Sequence, residues 1–210
     1  NLHFDQEDVE YLRSLGIFGE DFLEYLANFK FSGDIYAIPE GTVVFPREPL
    51  VKVIAPIMEA QLIETALLTI INHQSLIATK TSRIVHAAQG DGVMEFGLRR
   101  AQGPDAGVYG ARAAMIAGCI GTSNVLCGKM FNVPIKGTHA HSWIMSFPDE
   151  LTAFRTYAKL YPSACILLVD TYDTLNSGVP NAIKVFTEMR EAGIPMPFYG
   201  IRLDSGDLAY

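Results

Sequence analysis

Charged side chains follow four short apolar runs in the second half of this 210-residue chain. In chain order they are Arg99 and Arg100, then His141, then Asp170 and Asp173, then Arg202 and Asp204. An arginine suits phosphate because its planar fork donates to two oxygens at once. A histidine can act chemically when a carboxylate or carbonyl holds it in one tautomer, and Asp170 is the first candidate for that role, with Asp173 second.

The four runs predict strands that would bring these side chains together. They are residues 93–99, 133–138, 165–171 and 198–203, and helical patterns separate them. Alternation of strands and helices is typical of a parallel sheet, whose carboxyl ends share one rim. We therefore expect Arg99, His141, Asp170 and Arg202 to line one pocket. Helix caps and surface ion pairs are the alternative reading for each residue alone.

The helical patterns in this half of the chain, and the elements before it, follow from apolar spacing and from breakers. Helices are predicted at 112–117 with 123–131, at 150–160 and at 181–191. The first 92 residues predict two short helices within 6–30, a hairpin of 42–45 with 50–55, and a long helix over 56–88. We therefore expect a parallel α/β part, residues 93–210, preceded by part of an α+β domain, residues 1–92.

Composition limits the kind of protein. The net charge of −7 disfavours a nucleic-acid partner, and 49% hydrophobic with 19% charged residues is typical of a globular chain. Three scattered cysteines and the absence of a signal or membrane-spanning pattern favour the cytoplasm. Because the sequence starts without methionine and stops inside a strand–helix pattern, we expect it to be part of a longer protein, and to be inactive alone.

Five motifs in fixed order carry a resemblance. FGLRRAQGPD, GTSNVLCG, GTHAHSW, LVDTYDT and RLDSGD, within about residues 40–210, resemble the nicotinate phosphoribosyltransferase family. The resemblance implies an incomplete TIM-like barrel of parallel strands and helices packed on a second domain, in a homodimer with active sites at the subunit interface. It implies that nicotinate and phosphoribosyl pyrophosphate become nicotinate mononucleotide and pyrophosphate, in NAD biosynthesis, with ATP hydrolysis coupled through a phosphohistidine. The family's N-terminal tyrosine and its 5′-phosphate loops are expected outside these 210 residues.

The resemblance also implies roles for individual side chains. The catalytic residues are His141, which ATP phosphorylates, its partner Asp170, and Asp204, which binds the ribose hydroxyls. The substrate-binding residues are Phe96 on the pyridine ring, Arg99 on phosphoribosyl pyrophosphate, Arg202 near nicotinate, and Arg100, Ser123 and Thr138. We treat His139 as a bystander. Mg²⁺ and ATP are the expected cofactors, since pyrophosphate is a highly charged leaving group, and no metal-binding residue is assigned.

Ser123 is a candidate for choosing between the acid and the amide. Nicotinamide-using relatives have an aspartate at this position, and an aspartate would repel the carboxylate of nicotinate. A serine removes that repulsion and can donate a hydrogen bond. The alternative is that Ser123 is only the N-cap of the next helix.

Five other interpretations stay open. His139 and His141 form a His-x-His pair that could hold zinc, although no histidine follows them to complete a site. The protein could use nicotinamide, or it could be a relative that binds ligand without turnover. Phe96 could be an ordinary core residue, and Asp207 a helix cap.

Overall fold

The computed structural model describes residues 2–208 and shows two compact units. The N-terminal unit ends at Ile135 and the C-terminal unit begins at Lys136. This division falls later than the predicted boundary between residues 92 and 93, because the long helix before that boundary packs against a helix that follows it. The predicted boundary marks where strand–helix alternation begins, and it stays a prediction.

The two short helices predicted at the N-terminus are confirmed. Helix α1 spans Gln6–Ser14 and helix α2 spans Glu20–Ala27. Asp5 starts α1 with a capping box, in which its side chain accepts from the Asp8 backbone N–H and the Asp8 side chain accepts in return. Gly16, at φ +66°, ends the first helix in a conformation that favours glycine.

The predicted hairpin of 42–45 with 50–55 is wrong in one strand. Strand β2, Val51–Ile54, pairs antiparallel with β1, Asp34–Ala37, while 42–45 forms no strand. The chain between them turns at Gly41, with φ +82°, and at Arg47, with φ +73°. Pro46 also lacks the N–H that a strand ladder needs, so the apolar residues beside it cannot extend the sheet.

The predicted long helix is confirmed as α3, Ile57–Ala87, and it packs against α4, Pro104–Ile116. The contact surface of α4 is made of small residues, so the two helices approach closely. At Gly110 an added Cβ would lie 3.5 Å from Nε2 of His73 on α3. This packing joins the segments on either side of residue 92 within the N-terminal unit.

Short parallel strands lie beside α4. Strand β3, Met94–Glu95, pairs with β4, Gly121–Thr122, and Thr122 forms a further parallel bridge with Ile135. Helix α5, Val125–Phe131, connects β4 to that bridge. The predicted strands 93–99 and 133–138 are therefore mostly wrong. Gly97, at φ −83° and ψ −6°, turns the chain into a single 3₁₀ turn, Leu98–Arg100.

The C-terminal unit repeats the strand–helix order. Its elements are α6, His141–Met145; α7, Glu150–Leu160; β5, Cys165–Leu168; α8, Val179–Glu191; and β6, Tyr199–Arg202. Strands β5 and β6 are parallel neighbours, with Leu168 opposite Arg202. Phe154, Leu167 and Val185 are fully buried between the helices and β5. The predicted elements at 150–160, 165–171, 181–191 and 198–203 are confirmed, with shorter strands.

These elements make a mixed α/β fold with parallel strand pairs joined through helices, as the sequence predicts. Within residues 2–208 the strands form three separate two-stranded sheets. No helix in this part of the chain is both long and apolar enough to span a bilayer.

A substitution at Gly178 tests whether close backbone packing after β5 contributes to stability. It lies in a one-turn π-helix, Thr174–Gly178, and a Cβ there would lie 1.9 Å from the carbonyl oxygen of Val169. We expect Gly178→Ala to lower the free energy of unfolding by about 1–3 kcal/mol or more, because backbone must move to admit the methyl group. Urea denaturation of the purified protein measures it.

Gly137→Ala is the matched control, since no atom lies within 4 Å of the position that its Cβ would take. It should change the free energy of unfolding by less than about 0.5 kcal/mol. Equal effects of the two substitutions would show that the close approach at Gly178 does not constrain the fold.

Candidate functional site

The centre of the site in the C-terminal unit is a pair formed by His141 and Asp170. His141 is the first residue of α6, and Asp170 follows β5. Nε2 of His141 lies 3.0 Å from Oδ1 of Asp170. The Asp170 side chain is only 5% exposed and the His141 side chain 29%, so part of the histidine side chain is accessible to solvent. This contact is the one the sequence predicts; the roles of the two residues stay predictions.

Asp173, the second candidate partner for His141, caps a turn instead. Its Oδ1 accepts hydrogen bonds from the backbone N–H groups of Leu175 and Asn176, so it caps the π-helical turn. Asp173 therefore stabilises the loop after Asp170, and Asp170 is the carboxylate that contacts His141.

The other oxygen of Asp170 receives three hydrogen bonds from the loop after β6. Oδ2 accepts from the backbone N–H of Asp204 at 2.6 Å, and from the N–H and hydroxyl of Ser205 at 2.7 and 2.8 Å. Burial of Asp170 would raise its pKa, but these donors and His141 together lower the pKa to about 2. Asp170 is therefore an ionised carboxylate at any physiological pH.

Arg202 and Asp204 complete this side of the site. Nη1 of Arg202 donates to the hydroxyl of Thr138 at 2.9 Å, and its Nη2 forms a close ion pair with Oδ1 of Asp204. Oδ2 of Asp204 lies 3.9 Å from Nδ1 of His141, which is too long for a hydrogen bond. All five predicted site residues of the C-terminal unit thus belong to one connected cluster.

The geometry fixes which ring nitrogen of His141 can react. An ionised carboxylate only accepts hydrogen bonds, so Nε2 carries the proton that points to Asp170. In the neutral ring Nδ1 then holds the lone pair, on the side of Asp204. The arrangement can present a nucleophilic nitrogen and stabilise positive charge on the ring if that nitrogen forms a bond.

His139 lies in the core of the same unit. Its ring centroid is 4.4 Å from that of Tyr157 and 5.2 Å from that of Trp143, and its Nε2 accepts from the backbone N–H of Leu168 at 3.4 Å. Burial, followed by the charge of Arg202, lowers its pKa to about 4. This environment agrees with its prediction as a bystander.

The zinc interpretation of His139 and His141 finds no support in this geometry. Each Nε2 already has a partner, Leu168 in one case and Asp170 in the other. Within residues 2–208 no group of three or more His, Cys, Asp or Glu side chains is arranged to hold a metal ion.

The remaining predicted residues belong to the N-terminal unit. Phe96 follows β3 and is half-buried, while Arg99 and Arg100 are exposed on the 3₁₀ turn, so the prediction that the strand runs to Arg99 is wrong. Arg100 lines a cavity of about 500 Å³ together with Lys80 and Glu95. The convergence of Arg99 with the C-terminal cluster stays a prediction.

Ser123 is not the cap of α5. The cap is Asn124, whose Oδ1 accepts from the N–H of Cys127 at 3.1 Å. Ser123 precedes it, is partly buried, and donates its own N–H to the carbonyl oxygen of Glu95 at 3.0 Å. The alternative interpretation of Ser123 as an N-cap is therefore wrong, and its role in substrate choice stays a prediction.

Sequence reasoning missed three polar residues of these sites. Ser205 donates twice to Asp170, and Glu95 is bonded to Thr122. For Ser205 a signal existed, because it follows Asp204 directly at a strand end. For Glu95 and Thr122, 27 residues apart, no spacing pattern indicates the contact.

Comparison with protein families gives two matches. Residues 92–210 match the family described as "Nicotinate phosphoribosyltransferase (NAPRTase) family", and residues 1–72 match its N-terminal domain. The chain is 52% identical over 210 residues to nicotinate phosphoribosyltransferase of Bacillus subtilis, covering 100% of this chain and 42% of that protein. It is 49% identical over 207 residues to nicotinate phosphoribosyltransferase pncB2 of Mycobacterium tuberculosis, covering 99% and 44%. The chain thus spans less than half the length of these curated relatives.

Two solved structures resemble the fold. Human nicotinic acid phosphoribosyltransferase matches with a TM-score of 0.88 and 32% identity, covering 98% of this chain and 51% of that one. Nicotinate-nucleotide pyrophosphorylase from Pyrococcus furiosus matches with a TM-score of 0.73 and 30% identity, covering 84% and 43%.

The buried His139 predicts a pH dependence of stability. Its pKa is about 4 in the folded protein and about 6.5 when exposed, so below pH 6.5 the unfolded chain binds a proton that the folded chain does not. The neutral ring therefore makes its full contribution to the free energy of unfolding above pH 6.5. As the pH falls toward 4, this contribution decreases by up to about 3 kcal/mol. His139→Leu should remove this part of the slope.

Urea denaturation at pH 7 and pH 5 measures the slope for each variant. His86→Gln is the control, because His86 is exposed at the end of α3, and it should keep the wild-type slope. A His139→Leu protein with the same pH dependence as the wild type would contradict the assignment.

Proposed function

The chain belongs to the nicotinate phosphoribosyltransferase family, and on this premise we propose that the whole protein makes nicotinate mononucleotide. In this reaction the ring nitrogen of nicotinate forms a bond to the anomeric carbon of phosphoribosyl pyrophosphate as the bond to pyrophosphate breaks. The observation that carries the proposal is the connected cluster of His141, Asp170, Arg202 and Asp204, with both oxygens of Asp170 engaged.

Arg202 and Asp204 would handle the two substrates. Positive charge develops on the sugar as pyrophosphate leaves, and the Asp204 carboxylate can accept hydrogen bonds from the ribose hydroxyls and stabilise that charge. The guanidinium of Arg202, held by Thr138 and Asp204, can face the carboxylate of nicotinate. Arg99 and Arg100 carry exposed charge suited to the phosphates, and Phe96 a ring suited to stack on pyridine.

His141 would couple the reaction to ATP. Its Nδ1 lone pair would form a bond to the terminal phosphorus of ATP, while the bond from that phosphorus to ADP breaks. The ring then carries positive charge, and the ionised Asp170 beside Nε2–H stabilises it. Water would later release phosphate from the ring and restore the neutral histidine.

Mg²⁺ would come with the phosphates. Magnesium sites often use one or two carboxylates together with substrate phosphates, and they need no cage of protein ligands. The described residues fit this mode of binding. Asp204 is the partly exposed carboxylate of the cluster and could contact the ion. When bound, the ion neutralises charge on the phosphates.

The assembly and location belong to the same proposal. We infer an incomplete TIM-like barrel, supported by the parallel pairs β3–β4 and β5–β6 with helices between them. A homodimer follows from the family resemblance. A cytosolic location is supported by the three buried, unpaired cysteines, which suit a reducing compartment.

Turnover with ATP tests the proposal in the full-length protein. Nicotinate, phosphoribosyl pyrophosphate, Mg²⁺ and ATP should yield nicotinate mononucleotide, and ATP labelled in its terminal phosphate should label His141. We expect His141→Ala to abolish the label and to uncouple ATP hydrolysis, because His139 is buried among aromatic rings and cannot replace it. His86→Ala should behave as the wild type. A wild type that forms no product, or a label on His139, would contradict the proposal.

Ser123 tests the choice of nicotinate over nicotinamide. We expect Ser123→Asp to lower the ratio of kcat/KM for nicotinate to kcat/KM for nicotinamide by about tenfold or more, where tenfold is about 1.4 kcal/mol. The cause is repulsion between the new carboxylate and that of nicotinate. Ser123→Ala is the control, because it removes the hydroxyl without adding charge. An unchanged ratio in Ser123→Asp would place the discrimination elsewhere.

A further inference from the structure

A carboxylate joins the ends of β3 and β4 in the N-terminal unit. Oε1 of Glu95 accepts from the backbone N–H of Gly97 at 2.5 Å, and its Oε2 accepts from the hydroxyl of Thr122 at 2.6 Å. The Glu95 carbonyl oxygen also accepts from the N–H of Ser123. One residue thus holds the turn after its own strand and the end of the neighbouring strand.

Thr122 extends this link into helix α5. It is fully buried, and its Oγ1 also accepts from the backbone N–H of Asn124 at 3.0 Å. Asn124 in turn caps α5 through the N–H of Cys127. A continuous set of hydrogen bonds therefore runs from the turn after β3, through Glu95 and Thr122, to the first turn of α5.

The two residues enclosed by this link are Phe96 and Ser123. Phe96 lies between Glu95 and Gly97, and Ser123 lies between Thr122 and Asn124. Both were singled out for contact with the pyridine ring and its carboxylate. Any shift of the Glu95–Thr122 link therefore changes the separation of these two side chains.

Backbone hydrogen bonds between the strands, such as that from the Ser123 N–H to the Glu95 carbonyl oxygen, constrain that separation only in part. The β3–β4 ladder is only two residues long on each side, and Gly97 turns the chain out of the strand at once. Such a short ladder has few hydrogen bonds to hold its ends in register. A side-chain bridge at the carboxyl ends supplies the constraint that a longer sheet would give.

We propose that Glu95 and Thr122 are positioning residues for the base-binding part of the site. Together they hold Phe96 and Ser123 at the separation that lets the ring and the carboxylate of nicotinate be recognised at the same time. This inference rests on the proposed function, and it adds residues that act through Phe96 and Ser123 without touching substrate.

Thr122→Val is the sharpest test, since valine keeps the shape of threonine and removes only the hydroxyl. It leaves Oε2 of Glu95 and the N–H of Asn124 without their partner, so both chain segments can shift. We expect KM for nicotinate to rise on the order of tenfold, while KM for phosphoribosyl pyrophosphate changes by less than about threefold. Thr122→Ser keeps the hydroxyl and should restore the wild-type KM for nicotinate.

Three further variants separate a loss of positioning from a loss of stability. Glu40→Gln breaks the ion pair of Glu40 with Arg112 in the same unit, away from the bridge, and should lower Tm without changing KM. Should Thr122→Val fail to fold, Glu95→Asp shortens the bridge, whereas Glu95→Gln can accept from Gly97 with its oxygen and donate to Thr122 with its amide. We expect the nicotinate KM to rise in Glu95→Asp and to recover in Glu95→Gln.

The outcomes separate the two levels of the proposal. An active wild type with an unchanged nicotinate KM in Thr122→Val and Glu95→Asp would overturn the positioning role alone. The positioning role would also be overturned if kcat fell in Thr122→Val only in proportion to the fall in Tm, as expected of the stability control Glu40→Gln. A wild type without turnover of nicotinate and phosphoribosyl pyrophosphate would instead overturn the proposed function.

Discussion

The C-terminal site depends on the burial of one carboxylate. Asp170 is almost inaccessible to solvent, and a buried charge is tolerated only when its oxygens are hydrogen-bonded. One oxygen is bonded to His141 and the other to the loop that contains Asp204 and Ser205. Because these donors come from α6 and from the segment after β6, the same interaction fixes three chain segments. The parallel alignment of β5 with β6 is what brings them within reach.

In the N-terminal unit, a carboxylate also accepts hydrogen bonds at the ends of a pair of strands. Glu95 accepts from Gly97 in its own turn and from Thr122 on the neighbouring strand, as Asp170 accepts from two neighbouring elements. In both units the strands are only two to four residues long, so backbone hydrogen bonds alone hold their ends weakly. A carboxylate at the strand end adds directional bonds where the backbone ladder stops.

The sequence predicts the helices of this fold better than its strands. Apolar spacing defines a helix such as 57–87 over many turns, whereas a run such as 93–99 can be ended by one residue, Gly97, that leaves the extended region. The contact of His141 with Asp170 was predictable because each follows an apolar run that the sequence assigns to a parallel strand, although in the structure only the run before Asp170 forms a strand. For Ser205 the sequence gives its position directly after Asp204 at a strand end, but its bonds to Asp170 depend on how the loop after β6 folds back.

The two histidines of one motif show how environment decides reactivity. His141 donates from Nε2 to an ionised carboxylate, so its lone pair lies on Nδ1, on the side of Asp204. In His139 the same Nε2 accepts from the backbone N–H of Leu168, so its proton lies on Nδ1 and its ring is enclosed by Trp143 and Tyr157. The residues are two positions apart, yet their partners impose opposite tautomers. A positive charge on His141 would face Asp170, whereas on His139 it would face aromatic rings and the field of a nearby arginine, which lowers the pKa of that ring. The fold therefore gives the two histidines of the motif different environments, and only that of His141 combines partial exposure with an ionised partner.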